Sequence, residues 1–299
     1  LTSVELTRAV LDRIAQVDGR LHAYLLVTER EALAAARAAE AEIGSGRYRG
    51  PLHGVPVALK DIFLTEGIRT TAGSKVLADY VPDRDATVVS RLKEAGAVLL
   101  GKLNLHEFAF GATTVNPHYG ATRNPWDTER VPGGSSGGSA AAIAAGLCYY
   151  SLGTDTGGSV RAPAALCGIV GLKPTYGRVS RYGVLPLAWS LDHVGPMART
   201  VEDAALVLQA IAGHDPRDPA SGDAPVPDYA ASLQGTVRGL RIGVPRRYLL
   251  DSADPEVAAS FEAALGVFAQ LGASVTEIAL PHVGFARAVF AVIVLAEAF

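Results

Sequence analysis

Residues 139–155 read SAAAIAAGLCYYSLGTD, and no charge falls before Asp155. The first half, 139–147, has the small apolar composition of a buried helix. The second, 148–155, has the aromatic and apolar residues of a strand. A helix and a strand that are both buried in type belong at the centre of a large core. Glycine- and serine-rich segments, GGSSGGS before and TGGS after, bracket this pair.

The flanking chain supplies more of the same two elements. TSVE at 2–5 is a capping box ahead of helical apolar spacing. An Ala-rich helix is predicted over 30–43, a buried strand at about 55–60, an amphipathic helix over 85–96 and a strand over 97–102. A helix over 199–213 follows, then strands at 240–246 and 273–280 around a helix over 254–272. This alternation predicts an α/β fold with a mixed or parallel sheet. HDPRDPASGDAPVPDY, 214–229, is polar and Pro-rich and is the candidate internal boundary of an otherwise single domain spanning 1–299.

Of the 299 residues 49% are hydrophobic and 19% charged, which supplies a large core and excludes a disordered chain. Net charge is −3 with no basic stripe, so nucleic acid is not expected as a direct partner. Two cysteines make neither a disulfide framework nor a zinc motif. With no signal-peptide layout, a reducing cytoplasm is expected. AVFAVIVLAEAF, 288–299, is too short to span a bilayer and contains Glu297, so a core helix or strand is expected and no membrane partner. The chain lacks an initial Met and stops inside that run, which reads as a fragment cut at both ends.

The Gly/Ser segments run directly into buried elements, which a flexible linker does not do. They match neither a Walker A nor a dinucleotide fingerprint, so no cofactor is expected. Backbone N–H groups converging there suit an oxyanion, which asks for a nucleophile and a base. The seven histidines are dispersed and none lies in a hydrolase or metalloprotease motif, so no metal is expected. Among five lysines Lys60 stands out at the end of the apolar run VPVALK. Two readings are open for it. Desolvation would lower its pKa and make it a base; alternatively it pairs with Asp61 or Glu66 at the surface.

GGSSGGSAAAIAAG and GTDTGGSVRAPAALCGIVGLKPTYGRVSRYGV resemble the signature stretch of the amidase signature family. PLHGVPVALKDIF, ATVVSRLKEAGAVLLGKLNLHEFAFG, TRNPWD and SLDHVGPMARTVEDAALVLQAIAG match in order, over nearly the whole chain. The resemblance implies a large mixed sheet covered on both faces by helices, with the C-terminal part of the domain absent here. It implies Lys60 as base, Ser135 as the bridging serine after a cis Gly134–Ser135 bond, and Ser159 as nucleophile. Thr156, Gly157, Gly158 and Ser159 would form the oxyanion hole. Beside these, Asp155 and Arg161 flank Ser159 and are expected either to pair and hold its loop or to leave Arg161 a separate surface role. Ser136 is expected to hydrogen-bond near Ser135, and Thr113 and Thr114 are expected to line the pocket. The activity implied is hydrolysis of an amide C–N bond in a small-molecule substrate, through an acyl-enzyme. A homodimer is a family habit.

The family contains stand-alone amidases and the A subunit of glutamyl-tRNA amidotransferase, which works with partner subunits. NLHEFAFGATTVN and GVLPLAWSLDHVGPM depart from the pattern of that amidotransferase component. They lead to the expectation of a stand-alone amidase, with the amidotransferase component as the alternative.

Overall fold

A computed structural model describes residues 1–298. They divide into two compact units, Leu1–Ala230 and Ala231–Glu297.

In the first unit, helix α1 (Ser3–Leu21) starts at a capping box, where Thr2 and Glu5 each bond the other's backbone N–H. Strand β1 (Tyr24–Val27) leads to the Ala-rich α2 (Glu29–Gly44). Strand β2 (Pro56–Lys60) is buried at every residue. Helix α3 (Thr87–Glu94) and strand β3 (Val98–Leu103) complete a parallel crossover beside it. Helix α4 (Gly137–Ala144) and the wholly buried β4 (Tyr150–Asp155) are the apolar pair at the centre of the chain. Helix α5 (Arg161–Cys167), strands β5 (Val170–Gly171) and β6 (His193–Ala198), and helix α6 (Val201–Ile211) follow.

The six strands form one mixed sheet in the order β1-β3-β2-β4-β6-β5. Strand β2 is parallel to both neighbours, whereas β6 runs antiparallel to β4 and β5. Helices cover both faces. Val10, Ile14, Ala32, Ala36 and Ala140–Ile143 pack with Ala58 and Leu100. Val88, Leu92, Val207 and Leu208 pack with Val57, Leu59 and Leu152. Side chains alternate along a strand, so Lys60 shares the face of Ala58, the one covered by α4.

Strand β6 was not expected, because Gly195 and Pro196 in HVGPMA read as strand breakers. β1 is likewise an addition to the sequence reading.

The second unit pairs β7 (Arg241–Val244) with β8 (Ser274–Glu277) in parallel across α7 (Pro255–Gln270). The apolar run near the end is a helix, α8 (Ala286–Ala298), as one of the two expected forms. It is not core within this unit: Val289, Val292 and Leu295 are exposed and Val294 alone of its residues is buried. A helix apolar on all sides can bury only the face its unit offers. Phe299, the last residue of that run, lies outside the described residues. Among the described residues no helix is long and apolar enough to cross a membrane.

Candidate active site

The C-terminal ends of β2 and β4 lie side by side and open toward the start of α4. Lys60, the last residue of β2, is 0% exposed. Its Nζ donates to Ser135 Oγ and to Thr154 Oγ1, both at 2.7 Å. Burial lowers its pKa to about 7, against the opposing charges of Asp192 and Asp155. Lys60 does not pair with Asp61. That carboxylate lies 3.2 Å from the other buried lysine, Lys102, and accepts from Thr71.

Ser135 follows a cis Gly134–Ser135 peptide bond. Gly134 is required by close packing: a Cβ there would fall 2.7 Å from Thr113 N and 2.8 Å from the Ala112 carbonyl carbon. Thr114 braces this segment from behind. Its Oγ1 donates to Gly133 O (2.8 Å) or Ser135 O (3.3 Å) and accepts from Gly137 N (3.1 Å). The buried Ser136 ties the segment to β4 through Thr154 O (3.2 Å) and Thr154 N (3.3 Å). Its backbone N–H donates to Ser159 O at 3.2 Å, so Ser135 and Ser159 belong to adjoining loops.

Ser159 is partly exposed in a turn between β4 and α5, and its Oγ makes no hydrogen bond among the described residues. Asp155 organises that turn. Its fully buried carboxylate accepts from the N–H groups of Gly158 (2.8 Å), Val160 (3.1 Å) and Arg161 (3.3 Å). The Arg161 guanidinium adds bonds of 3.0 and 2.9 Å. Burial alone would raise the Asp155 pKa; the bonds from Arg161 and Val160 outweigh it and hold the group below the usual carboxylate range. Gly158 has φ +134°, in the region that favours glycine. Its N–H is engaged by Asp155, which counts against Gly158 among the four residues expected to form an oxyanion hole.

The histidines nearby are not placed as bases for Ser159. His193 Nδ1 lies 2.6 Å from Leu191 O, and Lys173 Nζ lies 3.2 Å from Nε2. These contacts fix the tautomer with its proton on Nδ1, while burial and Lys173 lower its pKa. His106 donates its backbone N–H to Ser135 O at 3.1 Å, and burial lowers its pKa too. Cys148 and Cys167 are buried, and burial pushes both thiols up to about 12, which leaves them protonated and inert.

Thr154 was missed from sequence, Thr114 was expected to line the pocket whereas its hydroxyl is bonded to the bridging segment, and Asp192 was missed. Asp192 accepts from Thr156 Oγ1 at 2.5 Å. Their partners lie 94, 21 and 36 residues away in the chain, and no local motif announces such contacts.

A family model described as Amidase matches residues 5–299. The chain is 57% identical over 298 residues to the A subunit of the glutamyl-tRNA(Gln) amidotransferase of Moorella thermoacetica, covering all of this chain and 61% of that protein. It is similar to a solved structure from a vestigial complex bearing on the origins of an s-triazine catabolic enzyme, at TM-score 0.95 and 44% identity, covering 100% of this chain and 65% of that one. It is similar as well to the peptide amidase of Stenotrophomonas maltophilia, at TM-score 0.91 and 42% identity, covering 100% and 63%. The chain thus spans about three fifths of the curated relatives it matches. With the family model matched almost end to end, the chain belongs to the amidase family, the one its GGSSGG and DTGGS segments resemble.

Proposed function

We propose that the chain is the catalytic part of the A subunit of a glutamyl-tRNA amidotransferase, releasing ammonia from the side-chain amide of glutamine. The observation that carries the chemistry is the buried Lys60 amine, 2.7 Å from Ser135 Oγ in the loop adjoining Ser159. What favours the amidotransferase is identity of 57% across the whole chain to the A subunit of Moorella thermoacetica. This reverses the balance expected from sequence. The departures in NLHEF and VLPLAWSLDHVGP touch two short segments, and two segments weigh less than the remaining length.

Ser159 Oγ attacks the amide carbonyl carbon while its proton passes to Ser135 Oγ, whose own proton passes to neutral Lys60. The oxyanion is held by N–H groups of Thr156, Gly157 and Ser159. The C–N bond breaks as the relay returns the proton to the leaving nitrogen, and water then cleaves the acyl ester. Asp155 and Arg161 hold the loop and Ser136 the bridging segment.

The test is ammonia release by the full-length protein, with and without partner subunits, from glutamine, aliphatic amides and aryl amides, with Ser159→Ala as control. Release from glutamine that needs the partners supports the amidotransferase. Ser159-dependent release from simple amides by the protein alone would return the assignment to a stand-alone amidase.

A further inference from the structure

Three carboxylates lie close to the proposed lysine base, and two already have cationic partners. Asp61 is paired with Lys102, and Asp155 with Arg161. Asp192 is 8% exposed and forms no ion pair among the described residues. Its Oδ1 accepts from Thr156 Oγ1 at 2.5 Å, and its Oδ2 from the N–H groups of Leu187 (2.8 Å) and Ala188 (3.1 Å). It therefore joins the 187–192 turn to the first residue of the loop that carries Ser159.

We propose that Asp192 is a positioning residue of this site, a buried carboxylate that clamps the 187–192 turn to Thr156 at the head of the loop carrying Ser159 and keeps an unpaired negative charge in the surroundings of Lys60. The inference rests on the function proposed above and assigns a residue that the sequence motifs do not single out. Asp192 opposes the effect of burial on Lys60 more strongly than Asp155 does. His106 is a neighbour whose pKa burial lowers, with the charge of Lys60 adding to the same effect. Arg181 and Arg217 share a cavity of about 400 Å³ with Asp192, but they are bound to Asp218 and Asp215. Lys173 is turned to His193. Asp192 thus performs two separable tasks: a hydrogen bond to Thr156 and a charge in the surroundings of Lys60. In an asparagine the oxygen stays with the N–H groups of Leu187 and Ala188 and the amide Nδ2 donates to Thr156 Oγ1, so the contact to Thr156 is kept with its direction reversed and the charge is removed.

The experiment measures the rate of covalent labelling of Ser159 by a fluorophosphonate across pH, in the full-length protein. Serine Oγ bonds to phosphorus, fluoride leaves, and the serine proton goes to the relay, so the rate reports the base without knowledge of the substrate. Wild type should rise through pH about 7, the pKa of Lys60, to a plateau. In Asp192→Asn the rising limb should move to lower pH by about 1 unit, the size expected for loss of a nearby opposite charge. Thr156→Val should lower the plateau roughly tenfold, as loss of an orienting contact does, and leave the limb in place. An Asp192→Asn profile with its limb unmoved overturns the proposal. So does an unchanged plateau in Thr156→Val, a result that still decides should the Asp192 variant fail to fold. Labelling of Ser159→Ala at the wild-type rate, or a wild-type profile with no rising limb, would instead overturn the function itself.

Discussion

Lys60 and Lys102 stand on adjacent strands and both are fully buried, yet their surroundings differ in kind. Lys102 donates to Phe63 O (2.7 Å) and Thr70 Oγ1 (2.8 Å) and lies against Asp61, so its charge is compensated and its place is structural. Lys60 meets two hydroxyls and no direct carboxylate partner, which favours the neutral amine. The folded-state pKa of about 7 lies below the ordinary 10.5. Between those values the unfolded chain holds a proton that the folded chain does not, so this group's contribution to stability rises with pH across that window. Below about pH 7 its cost is fully present. Relative to Lys60→Met, the wild type should therefore gain Tm as pH is raised from roughly 7 to 10, read by calorimetry. The same variant should lose at least about 10²-fold in Ser159 labelling at every pH, because general-base assistance is gone. Asp155 offers a second check. Asp155→Asn withdraws the charge beneath five hydrogen bonds and should cost about 2–4 kcal/mol in denaturant unfolding. Arg161→Ala, whose side chain is 52% exposed, should cost about 1 kcal/mol or less.

At the scale of elements, the site is two loops clamped together at the ends of two parallel strands. Thr114 belongs to neither, yet it satisfies polar groups on both sides of the cis bond. Thr114→Val keeps the shape and removes the hydroxyl, leaving buried backbone groups unpaired. The expected loss is about 2 kcal/mol in unfolding free energy. Ser159 labelling should fall by more than about tenfold while KM for the amide changes little, because the bridging serine and not the substrate contact is displaced. Steady-state kinetics and urea unfolding check both. The same element shows what sequence could and could not disclose. Lys60, Ser135 and Ser159 were legible because each sits in a dense local motif. The layered α/β plan was legible because helix-like and strand-like segments alternate along the chain and the central pair, α4 and β4, carries no charge before Asp155. Thr154, Asp192 and the bracing contacts of Thr114 were not legible, since each acts through a contact that exists only once the fold brings distant segments together. Strand β6 was hidden by its own glycine and proline, although its pairing of His193 with Asp155 is what brings the 187–192 turn to the nucleophile loop.

At the scale of the whole molecule, the residues proposed for catalysis and positioning, Lys60, Ser135, Ser159 and Asp192, lie together within the compact unit Leu1–Ala230. That unit holds both hydrophobic clusters. The second unit, in contrast, buries only Val244, Leu265, Ala273 and Val294 among its described hydrophobic residues. So small an apolar interior does not offset the conformational entropy of ordering a segment of that length. A chain of residues 1–230 should accordingly unfold cooperatively, with slow amide exchange in β2 and β4, and should still be labelled at Ser159. Residues 231–297 alone should show fast exchange throughout and no thermal transition. Loss of labelling from a folded 1–230 chain would mean that the geometry around Lys60 depends on residues outside the unit, and the catalytic assembly would then have to be sought across a larger part of the protein.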